Sequence, residues 1–135
     1  MSDTRPELVR ATGLAPGPFA HAAMARGSGL VLTAGACPVD AQSRTVGVGD
    51  VRAQARQAMA NLTAVLAAAG ATLADVLHLT VYVATSDRVE LVSAWDEVTA
   101  AFGAHPVPGT LLGVTVLGYD DQLVEVEAVA QVPPA

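Results

Sequence analysis

The chain has 135 residues, 52% hydrophobic and 15% charged, and carries a net charge of −6 from seven arginines, no lysine and thirteen acidic residues. That length encloses one core, the composition excludes a disordered chain, and no run reaches the ~20 apolar residues of a membrane span, so no membrane partner is expected. Absence of lysine excludes Schiff-base and lysine-anchored pyridoxal phosphate chemistry, and arginines scattered at positions 5, 10, 26, 44, 52, 56 and 88 offer no clustered cations for nucleic acid. The start, Met1 to Glu7, lacks a basic stretch followed by a hydrophobic one, which leads to the expectation of no secretory leader and a cytoplasmic location. Residues 1–16, rich in Pro, Gly and polar groups, read as a loosely held arm, and 17–135 as a single domain. Phe19 to Ala25 and Leu30 to Ala34 read as a hairpin across Arg26-Gly27-Ser28-Gly29, and Thr45-Val46 as a brief edge strand.

From Asp50 the period changes. Val51, Ala55, Ala58, Leu62, Val65, Leu66 and Ala69 fall on one helical stripe, with Asp50 to cap the start and Gly70 to end it. After a capped turn at Thr72 to Asp75, Leu77, Leu79, Val81 and Val83 alternate with His78, Thr80 and Tyr82 in a strand. A second helix is predicted from Ser86-Asp87, with Leu91, Trp95, Val98 and Phe102 as its stripe and Gly103 as its stop. The Pro- and Gly-containing segment 105–109 forces a rigid connection into a strand over Thr110 to Val116, and Tyr119-Asp120-Asp121 turns into the last apolar run. The order β-β-α-β-α-β-β predicts an α+β layer, one mixed sheet with both helices on one face. Two helices leave the other face bare, so self-association is expected.

The last run, Leu123 to Val129, places Glu125 and Glu127 two positions apart and therefore on one face, roughly 7 Å apart. On a covered face, repulsion and desolvation make such a pair costly to ionise and suited to moving protons; on an open face both simply point to water. Glu127 reads as structural. The only cysteine, Cys37, precludes an internal disulfide and reads as a packed thiol, because no neighbouring histidine is evident to activate it. His21, His78 and His105 show no metal-ligand spacing, so no metal is expected. His78 is placed in solvent, whereas His21 and His105 are candidates to flank a cleft and assist proton transfer. No Gly-rich loop joins a strand to a helix in a way that would cradle phosphate.

Several segments together resemble the reactive intermediate deaminase family, also called Rid or YjgF-like. They are Gly17-Pro18-Phe19, Leu32 to Asp40, Gln54 to Gly70 around Gln-Ala-Met-Ala-Asn-Leu, Asp75-Val76-Leu77, Thr80 to Val83, and Val124 to Ala130. The resemblance implies a chorismate-mutase-like α+β fold, a homotrimer built around the bare sheet face, and small-molecule sites between subunits. Typical members hydrolyse enamines and imines to 2-oxo acids and ammonia, with an arginine gripping the substrate carboxylate and a glutamate and backbone groups placing water. Glu125 matches that glutamate. Counted back from Val114 and Leu117, Gly109 stands where the family has arginine, in Pro108-Gly109-Thr110.

The resemblance also implies a substrate site at Phe19, Ala34, Gly35, Gly109, Thr110 and Leu111. Here Phe19 replaces a common tyrosine, Ala34 and Ala36 replace serine and glutamine, and Leu111 stands where some members have cysteine. Losing one partner of a buried ion pair costs about 3–5 kcal/mol, so efficient turnover of small 2-imino acids is not expected without another arginine. The resulting expectation is a small-molecule enzyme that hydrolyses or otherwise processes a less charged enamine, imine or carbonyl compound, with Glu125 catalytic and no cofactor or metal. A non-catalytic ligand-binding homotrimer and a pathway-specific tautomerase or cyclase are the alternatives.

Overall fold

Helix α1, Val51–Ala68, buries Val51, Ala55, Ala58, Leu62, Val65 and Leu66 along one stripe, as its periodicity dictates. The Asp50 carboxylate accepts from the Ala53 N–H at 3.0 Å at its start. Past its end, Gly70 takes φ 87°, a conformation that glycine adopts without steric cost. Helix α2, Arg88–Phe102, is capped by Asp87, which accepts from the Val89 N–H at 2.9 Å, and buries Ala94, Val98 and Phe102. The structure, a computed structural model, describes residues 5–133; the first four residues of the expected arm and the last two of the expected domain lie outside the described residues.

Both helices lie against one six-stranded sheet. Its strands are β1 (Glu7–Val9), β2 (Ala22–Met24), β3 (Leu30–Thr33), β4 (Val76–Val83), β5 (Gly109–Gly113) and β6 (Val124–Gln131), in the spatial order β1-β2-β3-β6-β4-β5. Only β4 and β5 run parallel; the other neighbours are antiparallel. β6 sits near the middle, and its Val124, Val126, Ala128 and Ala130 are buried while Glu125, Glu127 and Val129 alternate with them. The apolar set joins Val31, Leu79, Val81 and both helical stripes in the core. Leu32, half exposed, pairs with Val129 on the opposite face.

Five local features depart from the sequence expectations. Glu7–Val9 of the arm pairs with β2, and Val9 and Ala11 are buried, so three residues of the arm form the sheet's edge strand. The pairing of β4 with β6 shifts between Val76 and His78, so that Val76 enters the core and Leu77 is left 45% exposed, while Leu79, Val81 and Val83 are buried as the alternation predicts. β2 begins at Ala22 rather than Phe19, and β5 ends at Gly113, with Val116 exposed beyond it. Thr45 makes one bridge to Val39 instead of a strand.

The buried Gln54 ties α1 to the loop that precedes it and to the loop that leads into β6. Its Nε2 donates to Gly47 O at 3.1 Å and Asp121 O at 2.9 Å, and its Oε1 accepts from the Leu123 N–H at 2.6 Å. Replacing it by leucine keeps the volume but leaves Asp121 O and the Leu123 N–H unpaired and strips Gly47 O of one of its two donors, the other being the Asp50 N–H at 2.9 Å. Gln54→Leu is therefore expected to cost about 3 kcal/mol, read as a lower urea midpoint at an unchanged slope.

Candidate functional site

Glu125 is opposite Tyr82 across the β4–β6 ladder. Beside it runs the segment after β3, where Ala36 exchanges backbone hydrogen bonds with Val126 at 2.7 and 3.1 Å. Asn61 of α1 fixes the same segment by donating to Cys37 O at 2.8 Å and Val39 O at 2.9 Å. The close approach needs a glycine: a Cβ on Gly35 would stand 2.5 Å from Glu125 Oε2 and 2.6 Å from its Cδ.

The Cys37 thiol and the Gln122 amide both donate to Glu125 Oε1, at 2.9 and 3.3 Å. Gln122 is itself buried and locked, accepting from the Tyr119 N–H at 3.0 Å and donating to Val124 O at 3.0 Å. Burial pushes the Cys37 thiol up to about 12, helped by the hydrogen bond and charge of Glu125. Glu127 has its own donor, the Tyr82 hydroxyl at 2.5 Å, and that bond pushes Tyr82 up to about 12. The two glutamates thus share a face but not a partner.

An apolar recess of about 50 Å³ opens beside this carboxylate, lined by Leu14, Phe19, Ala34, Gly35, Cys37 and Tyr119 among others. Phe19 stands edge-on to His21 at 6.3 Å. His21 is committed to the backbone: Nδ1 accepts from the Ala11 N–H at 2.9 Å, which leaves Nε2 to donate to Ala15 O at 3.1 Å. It clamps the arm against the recess rather than offering a free nitrogen. His105 contacts Val76 O at 2.8 Å, at the start of β4, about 20 Å along the strand from Tyr82. It does not flank the site, and His78 is exposed on β4.

The three expected β5 residues face two ways. A Cβ on Gly109 would meet the Trp95 ring at 2.9 Å and Leu79 O at 3.2 Å, so this position looks into the helix layer. Leu111, opposite the buried Val81, likewise packs on the core, whereas Thr110, opposite Thr80, is exposed on the glutamate face. Ala34 and Gly35 gather with Glu125; Gly109 and Leu111 do not. Cys37 as a partner of Glu125, Gln122, Asn61 and Tyr82 were not singled out, although Tyr82 shares the outward phase of its strand. A larger open groove lies between the start of α2 and the end of β5, lined by Asp87, Arg88, Leu91 and Gly113; its one acid, Asp87, caps α2, and it has no thiol.

Residues 12–132 match the family model described as Endoribonuclease L-PSP. A RutC family protein of Pyrococcus horikoshii is 31% identical over 114 residues, covering 84% of this chain and 86% of that one. The chain belongs to the Rid, or YjgF-like, family. A 2-iminobutanoate/2-iminopropanoate deaminase of Salmonella typhimurium is 38% identical over 76 residues, 56% of this chain and 57% of that protein. Among solved structures, E. coli TdcF with bound serine superposes with a TM-score of 0.76 at 25% identity, covering 93% of this chain and 98% of TdcF. The sheet and its two helices are the chorismate-mutase-like fold of the YjgF and L-PSP proteins.

In this Rid protein the residue that strand geometry sets on the glutamate face is Thr110, while Gly109 faces the helix layer. Neither position carries a cation. Arg10 and Arg26 donate to backbone oxygens, and Arg44, Arg52 and Arg56 pair with Asp40, Asp96 and Glu97, so none of these five is bonded to Glu125 or Glu127.

The raised thiol and phenol carry a stability consequence. A group whose pKa is higher folded than unfolded stabilises the fold below its ordinary value, and that stability is lost as pH rises toward the folded value. For Cys37 the window runs from 9.0 to about 12, and for Tyr82 from 10.0 to about 12. With no lysine to obscure this limb, the urea midpoint is expected to fall steadily across it, and Cys37→Ala to flatten the part nearest pH 9.0.

Proposed function

We propose that this Rid protein acts as a homotrimer whose inter-subunit clefts hydrolyse an enamine or imine that carries no carboxylate, with Glu125 handling the water. The observation that carries the reading is the Glu125 carboxylate, seated over Gly35 beside an apolar recess, with two donors on Oε1 and, among the described residues, no hydrogen bond on Oε2. Oε2 takes a proton from water as the water oxygen adds to the C=N carbon. That proton passes to nitrogen to give a carbinolamine; the added hydroxyl then loses its proton to the same carboxylate, which delivers it to the amine as the C–N bond breaks, so that a carbonyl compound and ammonia leave. A face with two glutamates and a threonine at its β5 position repels an anionic substrate and suits a neutral or protonated imine.

Small-molecule binding is supported by the bound serine in TdcF, and imine chemistry by the Salmonella deaminase. Trimerisation is supported by the uncovered sheet face, where Leu32 and Leu112 remain 50% and 43% exposed around the Tyr82–Glu127 pair. Subunits packed on that face would close the shallow recess into a cleft. A binding-only role is the second reading, favoured by His21, whose ring nitrogens are both engaged and which therefore supplies no second acid or base.

Light scattering is expected to give three times the 13.6 kDa chain mass, and a stable monomer would remove the cleft. Ammonia release from a neutral ketimine such as acetophenone imine is expected to exceed that from 2-iminopropionate. Glu125→Gln should lower the former about a hundredfold with the assembly intact; saturable binding with no ammonia from wild type would instead establish the binding-only role.

A further inference from the structure

Cys37 is the chain's single thiol, and it touches the carboxylate on which the proposed chemistry depends. A nucleophilic cysteine needs its thiolate, yet here burial and the neighbouring carboxylate oppose it, and the one nearby histidine is spent on backbone groups. The thiol hydrogen has two acceptors within reach, Glu125 Oε1 at 2.9 Å and Gly35 O at 3.7 Å, and the first is much the closer. Gln122, two residues before β6 begins, adds a second donor to the same oxygen. Oε2 receives no hydrogen bond from the described residues and lies over Gly35, where only a hydrogen fits.

We infer that Cys37 is a positioning residue: its thiol, with the Gln122 amide, pins Oε1 of Glu125 so that Oε2 is the oxygen left to work on a bound molecule. The segment that brings it there is itself immobilised, since Asn61 holds Cys37 O and Val39 O and Ala36 is bridged to Val126. A carboxylate on a three-torsion side chain would otherwise sample several orientations, and holding one of them favours productive geometry. The inference rests on Glu125 being the working group, but the contact can be tested without turnover.

With one cysteine in the chain, the infrared S–H stretch reports Cys37 alone. Glu125→Gln is expected to move that band toward a free thiol and to lower the midpoint pH for iodoacetamide alkylation by about one unit or more, while Glu127→Gln moves neither. An unchanged band and midpoint in Glu125→Gln, or an equal change in Glu127→Gln, would overturn the contact. For the role, Cys37→Ala is expected to lower kcat for acetophenone imine about tenfold at similar KM, and Cys37→Ser to restore most of it. Unchanged kcat in a folded Cys37→Ala protein, or a serine variant no better than alanine, would overturn the positioning role. A wild type that releases no ammonia defeats the hydrolytic reading instead, and the spectra still decide whether Cys37 holds Glu125.

Discussion

The two-residue period of β6 is the constraint from which the rest of the molecule follows. With β3 on one side and β4 on the other, the strand cannot slip by one residue without exchanging Val124, Val126, Ala128 and Ala130 for Glu125, Glu127 and Val129. Such a slip would bury two carboxylates under the helices and expose four apolar side chains. Burying an unpaired carboxylate costs several kcal/mol, so the register is strongly specified. The side that α1 and α2 cover is thereby settled, and so is the side that carries the acids.

Around that strand, side-chain amides do the joining that regular backbone ladders do not. Gln54, Asn61 and Gln122 each bond backbone groups of the loops flanking β3 and β6. Each satisfies groups that would otherwise be buried without partners. Two of the three sit on α1, so the helix that builds the core also sets the walls of the recess. Gly35 completes the arrangement by leaving room for Glu125 where any side chain would collide.

The electrostatics of the site follow from subtraction. A carboxylate-gripping guanidinium would draw anionic substrates; here Thr110 occupies the outward position on β5, and donors to the glutamates come from a thiol, an amide and a phenol. None of these contributes a positive charge. The recess beside that acid is lined mainly by apolar groups, with His21, Asn61, Cys37 and Tyr119 among them.

The sequence by itself determined both helices with their caps, the alternation that puts Glu125 and Glu127 on one face, and the α+β layering. These are local, because periods of 3.6 and 2 and the chemistry of Asp50, Asp87, Gly70 and Gly103 act within a few residues. Tertiary structure alone decided the rest. Whether Gly109 or Thr110 faces the acids depends on how β5 pairs with β4, and whether Leu77 or Val76 enters the core depends on a bulge against β6. The meeting of Cys37 with Glu125 joins residues 88 positions apart. Periodicity reports which way a side chain points along its own element; it says nothing of what a distant strand or loop brings against it, because that is set by pairing register and packing.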